Sequence, residues 1–170
     1  MPEPLIDKIV IGVTGHRSFD VADTSQRVDR LLDRIVAERF PVVVSSLAEG
    51  ADRLVAERVL ARPSAHLAVV LPLDTDDYER DFATPASIAE FRSLLARADS
   101  VSVVDVPPGA PRETAYERAG HEVVARCDVL IAVWDGSASR GPGGTAEIVE
   151  HARRIGRRVE LVGVTRGGAG

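Results

Sequence analysis

A chain of 170 residues with a formal net charge of −5, 45% hydrophobic and 28% charged residues suits one domain with a substantial core. The acidic balance argues against nucleic acid as a partner, because binding a phosphate backbone needs clustered positive charge. One cysteine, Cys127, excludes an intrachain disulfide and a cysteine-rich zinc site.

The predicted elements alternate between strand and helix. Ile9–Val13 reads as the first strand, followed by Val28, Leu31, Leu32, Ile35 and Val36 at helical spacing. Val42–Ser46 is the second strand, and Ala51, Leu54, Val55 and Val59 form the next apolar helix face. Leu67–Leu71 is the third, with Ile88, Phe91, Leu94, Leu95 and Ala98 behind it. Val101–Val104 is the fourth, before a stripe of Tyr116, Ala119, Val123, Val124 and Cys127, where the cysteine reads as core packing. Val129–Trp134 is the fifth, then a helix carrying Ile148, Val149, Ala152 and Ile155, then Val159–Val164 as the sixth.

Continuous apolar strands separated by amphipathic helices indicate a mainly parallel sheet covered on both faces. Right-handed crossovers make this a Rossmann-like, doubly wound α/β fold of about six strands. One domain over residues 1–170 is expected, with loose ends at about 1–7 and 166–170. The N-terminus carries no apolar signal segment and no apolar run is long enough to cross a membrane. A cytoplasmic location without a membrane partner is the expectation.

In such sheets ligands sit beyond the carboxyl ends of the strands, where strand order reverses. The end of the fifth strand is the richest. Gly141-Pro142-Gly143-Gly144-Thr145-Ala146-Glu147 places a glycine turn before a helix, whose free N–H groups and dipole favour phosphate. Glu147 puts a carboxylate in the first turn, near any sugar that the phosphate carries. A tight turn capped by Thr145 explains the same residues without a ligand. Asp135 adds an acid at the same edge.

Strand one ends in Thr14-Gly15-His16-Arg17, where Gly15 permits a sharp turn, Arg17 suits a phosphate clamp, and His16 is a candidate donor or acid. The three spaced glycines of a dinucleotide site and a Walker lysine are both missing, so no cofactor is implied. Strand two ends in Ser45-Ser46-Leu47-Ala48-Glu49-Gly50-Ala51-Asp52. Asp52 suits a ribose hydroxyl or an orienting role on Arg17, while Ser46 and Glu49 have the spacing of a capping box. The acid-rich Pro72–Phe82 stretch misses the calcium-loop pattern and reads as a solvated, mobile lid. Tyr78 and Phe82 would then cover a base, with Arg80 reaching a phosphate. The four histidines lack metal-ligand spacing, and no metal is expected.

These residues carry a resemblance. Ser45-Ser46-Leu47-Ala48-Glu49-Gly50-Ala51-Asp52 resembles the second-strand signature of DNA-processing protein A, and the Gly-Gly-Thr segment with its Glu resembles the phosphate-binding motif of Lonely Guy-type phosphoribohydrolases. With Gly12-Val13-Thr14-Gly15-His16-Arg17, the set is similar to the SLOG superfamily over about Lys8 to Val164. The resemblance implies a domain binding nucleotides or nucleotide-derived ligands, and a homodimer in the phosphoribohydrolase branch. That branch cleaves the N-glycosidic bond of nucleoside 5′-monophosphates, with Glu147 as the corresponding catalytic candidate. Its pattern is Pro-Gly-Gly-x-Gly-Thr-x-x-Glu. Here two positions are missing and Ile148 stands where the Glu would fall. Ligand binding, as in a sensor, is therefore the first expectation and hydrolysis the alternative.

Overall fold

The structure, a computed structural model, describes residues 7–138 and 141–165. The chain runs β1 (Lys8–Gly15), α1 (Val21–Val36), β2 (Phe40–Ser45), α2 (Ala51–Leu60), β3 (His66–Leu71), α3 (Thr75–Tyr78), a short 3₁₀ turn (Glu79–Asp81), α4 (Pro85–Ala96), β4 (Ser100–Val103), α5 (Arg112–Arg126), β5 (Val129–Trp134), α6 (Thr145–Arg154) and β6 (Arg158–Gly163). The six predicted strands are present, each within about two residues of its expected bounds. The expected loose ends lie outside the described residues except for Asp7. Its carbonyl accepts the Phe40 N–H at 3.1 Å, so the chain is already tied to the sheet there.

All strand pairs are parallel, in the order β4-β3-β2-β1-β5-β6. The chain winds outward from β1 to β4 and then crosses back to place β5 on the other side of β1. Right-handed crossovers in opposite directions put their helices on opposite faces. One core accordingly packs Val28, Leu32 and Ile35 of α1, Val55 and Val59 of α2 and Phe91 of α4 against Ile11, Val43, Val69 and Ile131 of the sheet. The other packs Ala119, Val123 and Val124 of α5 and Ile148 and Ala152 of α6 against Val44, Val70 and Leu130. The alternation of strand side chains feeds both cores, which is why the central strands read as unbroken apolar runs. Cys127 is buried among them, as expected of a packing residue. Edge strands are less covered: Val101, Val103 and Leu161 are about half exposed.

Two local expectations fail. Helix α6 ends at Arg154, so Ile155 lies past its last turn and is half exposed instead of joining the core. The Pro72–Phe82 stretch is not the solvated segment expected either. Tyr78 is 1% exposed and packs with Phe82 and Phe91, at ring-centroid distances of 4.9 and 5.6 Å. Its acids are mostly spent on arginines: Glu79 binds Arg92 through two 2.7 Å bonds, and Asp77 and Asp81 bind Arg112. Aromatic burial outweighed the acidic composition that suggested solvent. Among the described residues, no helix is long and apolar enough to cross a membrane.

Candidate functional site

Strand order reverses between β1 and β5, where Gly15 lies opposite Val133. Beyond these strand ends opens a cavity of about 680 Å³, within the range of about 300–1,000 Å³ common for small-molecule sites. Its floor is the end of β1 with the loop after it: Gly15, His16 and Arg17. One wall is Ser46, Ala48, Glu49 and Asp52 from the β2–α2 turn, and the facing wall is the Gly143-Gly144-Thr145 turn that starts α6. The structure thus gathers most of the predicted residues at one sheet edge.

The β1 loop is pinned from both sides. The His16 N–H donates to Val133 O at 2.9 Å and its carbonyl accepts the Ala51 N–H at 3.0 Å. Gly50 makes the second contact possible. It has φ of +87°, and a Cβ there would lie 2.4 Å from the Arg17 Cα. The His16 ring Nε2 accepts the Asp135 N–H at 3.1 Å and lies 2.9 Å from Asp135 Oδ1. Asp135 therefore sits behind His16 and outside the cavity lining. Arg17 projects from the pinned loop, exposed, and among the described residues its guanidinium has no hydrogen bond or ion pair.

The β2–α2 turn is not the expected capping box. Helix α2 begins at Ala51 with Gly50 as its cap residue, and Ser46 makes no cap. Ser45 is buried below the cavity, its hydroxyl accepting the Leu47 N–H at 3.0 Å. Leu47 is held at φ of +54° while fully buried, a strained conformation for a branched residue. Glu49 reaches across to the start of α4, accepting from the Ser87 hydroxyl at 2.7 Å. Asp52 Oδ2 accepts the Ala48 N–H at 3.1 Å. Burial pushes the Asp52 carboxyl up to about 7, against the opposing pull of Ala48, Ser45 and the nearby Arg53 and Arg17.

The turn before α6 is built from backbone. Gly144 is the cap residue with no side-chain cap bond, and Thr145 is the first helical residue rather than the expected cap. The first-turn N–H groups of a helix have no intrahelical acceptor. Here they open beside the cavity.

Sequence reasoning missed a third wall. Helix α5 returns over the switch point on its way from β4 to β5, bringing Arg112, Glu113 and Tyr116 to the cavity. Arg112 Nη1 donates to Asp77 Oδ1 at 2.9 Å and Nη2 to Asp81 Oδ2 at 3.0 Å. The Tyr116 hydroxyl donates to the same Asp81 oxygen. Burial alone would raise the Asp81 carboxyl, but these donors outweigh it and hold it below the usual range. Arg112 and Tyr116 lie four apart on one helix face, which was the available signal. Tyr78 also lines the cavity, where its buried hydroxyl has no hydrogen-bond partner among the described residues.

Five predicted site residues fall outside the lining: Ser45, Gly50 and Asp135, placed above, and Arg80 and Glu147. Arg80 is exposed and off the cavity, because the folded 3₁₀ turn points it outward. Glu147 also lies outside the lining, with Oε1 2.8 Å from His121 Nε2 of α5. A helix turns through about 100° per residue, so the second residue after Thr145 faces away from the pocket that Thr145 lines.

No family model matches the chain, and no curated protein matches it in sequence. Solved structures do match in fold. DNA processing protein A from Streptococcus pneumoniae superposes with a TM-score of 0.64 at 19% identity, over 92% of this chain and 51% of that one. DNA processing protein A from Helicobacter pylori gives 0.59 at 18% identity, over 90% and 64%. TM1055, a Lonely Guy-type protein, gives 0.52 at 14% identity, over 89% and 72%. The chain has a SLOG-like fold, and it spans between about half and two thirds of the two DNA processing proteins. The expectation that set nucleic acid aside as a partner does not stand. The Helicobacter pylori protein is described with a unique single-stranded DNA binding mode, and the net charge of a whole chain does not speak for one local groove.

Proposed function

We propose that the cavity binds a nucleotide or a nucleotide-derived phosphate ligand at the carboxyl edge of the sheet. The observation that carries this reading is Arg17. It is a guanidinium without an intramolecular partner among the described residues, on a pinned loop, lining the same cavity as the uncapped start of α6. Two donors of positive character in one cavity suit a phosphate. Glu49 and Asp52 on the opposite wall suit sugar hydroxyls, and the apolar surface of Ala119, Val123 and Ile148 suits a base. The orphaned Tyr78 hydroxyl supports the same reading, since a buried donor without a partner calls for one. Calorimetry with AMP, GMP, CMP and UMP tests it. Saturable binding of at least one, lost in Arg17→Ala, is the expected result. No heat with any of them, nor with the matching diphosphates, overturns the reading.

Hydrolysis of the N-glycosidic bond is the second reading, and Asp52 favours it. A cavity carboxyl with its pKa near 7 is available at neutral pH as an acid, able to protonate a departing base. Glu147 has no access to that chemistry from its position. Incubation of the same monophosphates, followed for free base and ribose 5-phosphate, separates the readings. Tight binding with intact nucleotide after hours leaves a sensor; release abolished in Asp52→Asn with binding retained makes an enzyme.

A further inference from the structure

Helices α5 and α6 approach closely because Gly120 has no side chain. A Cβ built there would lie 2.4 Å from Ile148 Cδ1. This approach sets Glu117 and His121, one turn apart on α5, against Glu147 in the first turn of α6. His121 Nε2 lies 2.8 Å from Glu147 Oε1 and 4.0 Å from Glu117 Oε1, and one donor atom from each residue falls within 4.8 Å of the others. Glu147 Oε2 is shielded from water and has no hydrogen-bond partner among the described residues. His151 stacks flat on the His121 ring at 3.8 Å with an interplanar angle of 11°, which fixes the direction in which Nε2 points.

We propose that Glu117, His121 and Glu147 bind one divalent transition-metal ion of the zinc class between α5 and α6. Around a tetrahedral zinc ion with bonds of about 2.0–2.2 Å, neighbouring donors stand roughly 3.3 Å apart. The 2.8 and 4.0 Å separations bracket that value, and with the third separation within 4.8 Å, side-chain adjustments of at most about 1.5 Å meet it. Two carboxylates with one imidazole suit zinc or manganese rather than a thiolate-seeking metal. Three protein ligands leave a position for water, and the partial exposure of all three side chains leaves a path for the ion. The orphaned Glu147 oxygen gains a partner when its carboxylate turns toward the metal.

The ion would also fasten a wall of the neighbouring cavity. Gly143 packs so tightly on α5 that a Cβ there would lie 2.9 Å from the Glu117 N. A metal held jointly by Glu117 and Glu147 therefore clamps the Gly143-Gly144-Thr145 turn from behind. The site stands on its own residues, whether or not the cavity takes a nucleotide.

The test is calorimetry of the full chain, freed of metal with a chelator, titrated with zinc chloride and separately with manganese chloride. The expected result is one zinc per chain and a melting temperature that rises with zinc. His121→Ala and Glu147→Gln should each weaken zinc binding at least tenfold and abolish the rise. Circular dichroism without metal checks that each variant folds, and Glu117→Gln serves if one does not. Absence of zinc binding, or affinity unchanged in the folded variants, overturns the proposal. Retained affinity would place the ion elsewhere, for instance at the exposed pair His66–Asp99. Monophosphate titrations of the same variants keep this result separate from the nucleotide reading.

Discussion

The two sides of the cavity are held by different means. On the α2–α4 side the wall is a network of paired side chains. Arg53, 3% exposed, donates to Leu47 O at 3.0 Å and to Ser87 O and Oγ at 2.9 Å, and lies 4.5 Å over the Phe82 ring. Glu49 joins the same Ser87, and Arg112 and Tyr116 converge on Asp81. On the α6 side the wall is a glycine turn with no side-chain cap, closed by a 3.3 Å bond from Gly144 N to Gly141 O. The first wall spends most of its hydrogen bonds on itself. The second keeps its N–H groups for something else. Substitutions in the network should therefore register as stability, and those at the turn and Arg17 as affinity.

The largest effect is expected at Arg53. Arg53→Ala strands a buried carbonyl at about 1–3 kcal/mol and loses packing over Phe82, together about 3–4 kcal/mol. A chemical-denaturation midpoint that fails to move would show the network to be ornamental. Asp52→Asn acts through pH. The folded-state carboxyl is raised from 3.8 to about 7, so the folded protein holds this proton more tightly than the unfolded chain. Its contribution is full below about pH 4 and is lost as pH climbs through about 7. The asparagine variant should therefore gain on the wild type as pH rises from about 4 to about 8. Parallel stability curves for the two proteins would contradict a carboxyl whose burial outweighs its hydrogen bonds and nearby arginines.

On the other side, Arg17→Ala should weaken a bound monophosphate about 10–100-fold, the scale of a lost charged hydrogen bond of about 1.5–3 kcal/mol. Its melting temperature should stay where it was, because no intramolecular bond is broken. A fall in stability with unchanged affinity would reverse the contrast between the walls. The smallest effect is expected at Gly144. Among the described residues a Cβ there meets only Gly141 O, at 3.3 Å, so Gly144→Val should fold and crowd the approach of a ligand. A loss of roughly tenfold in affinity, about 1.4 kcal/mol, is expected, and equal affinity by calorimetry would remove the turn from the site.

The sequence by itself determined the order of strands and helices, the parallel sheet, and the strand ends at which to look. Those properties follow from side-chain periodicity and from the handedness of crossovers, both readable along a chain. The turns at Gly15 and Gly143-Gly144 were legible for the same reason, since backbone sites are built by neighbours in sequence. Only the tertiary structure decided which side chains face the cavity. Arg112 and Tyr116 arrive there because α5 crosses back over β1, about 100 residues away along the chain. Glu147 leaves because the helix phase set by Thr145 turns it toward His121. The acid-rich stretch folds inward because Tyr78 and Phe82 find Phe91 and Arg53 waiting. A charge pattern reports what a segment would do in water, and packing partners distant in sequence decide whether water is what it meets.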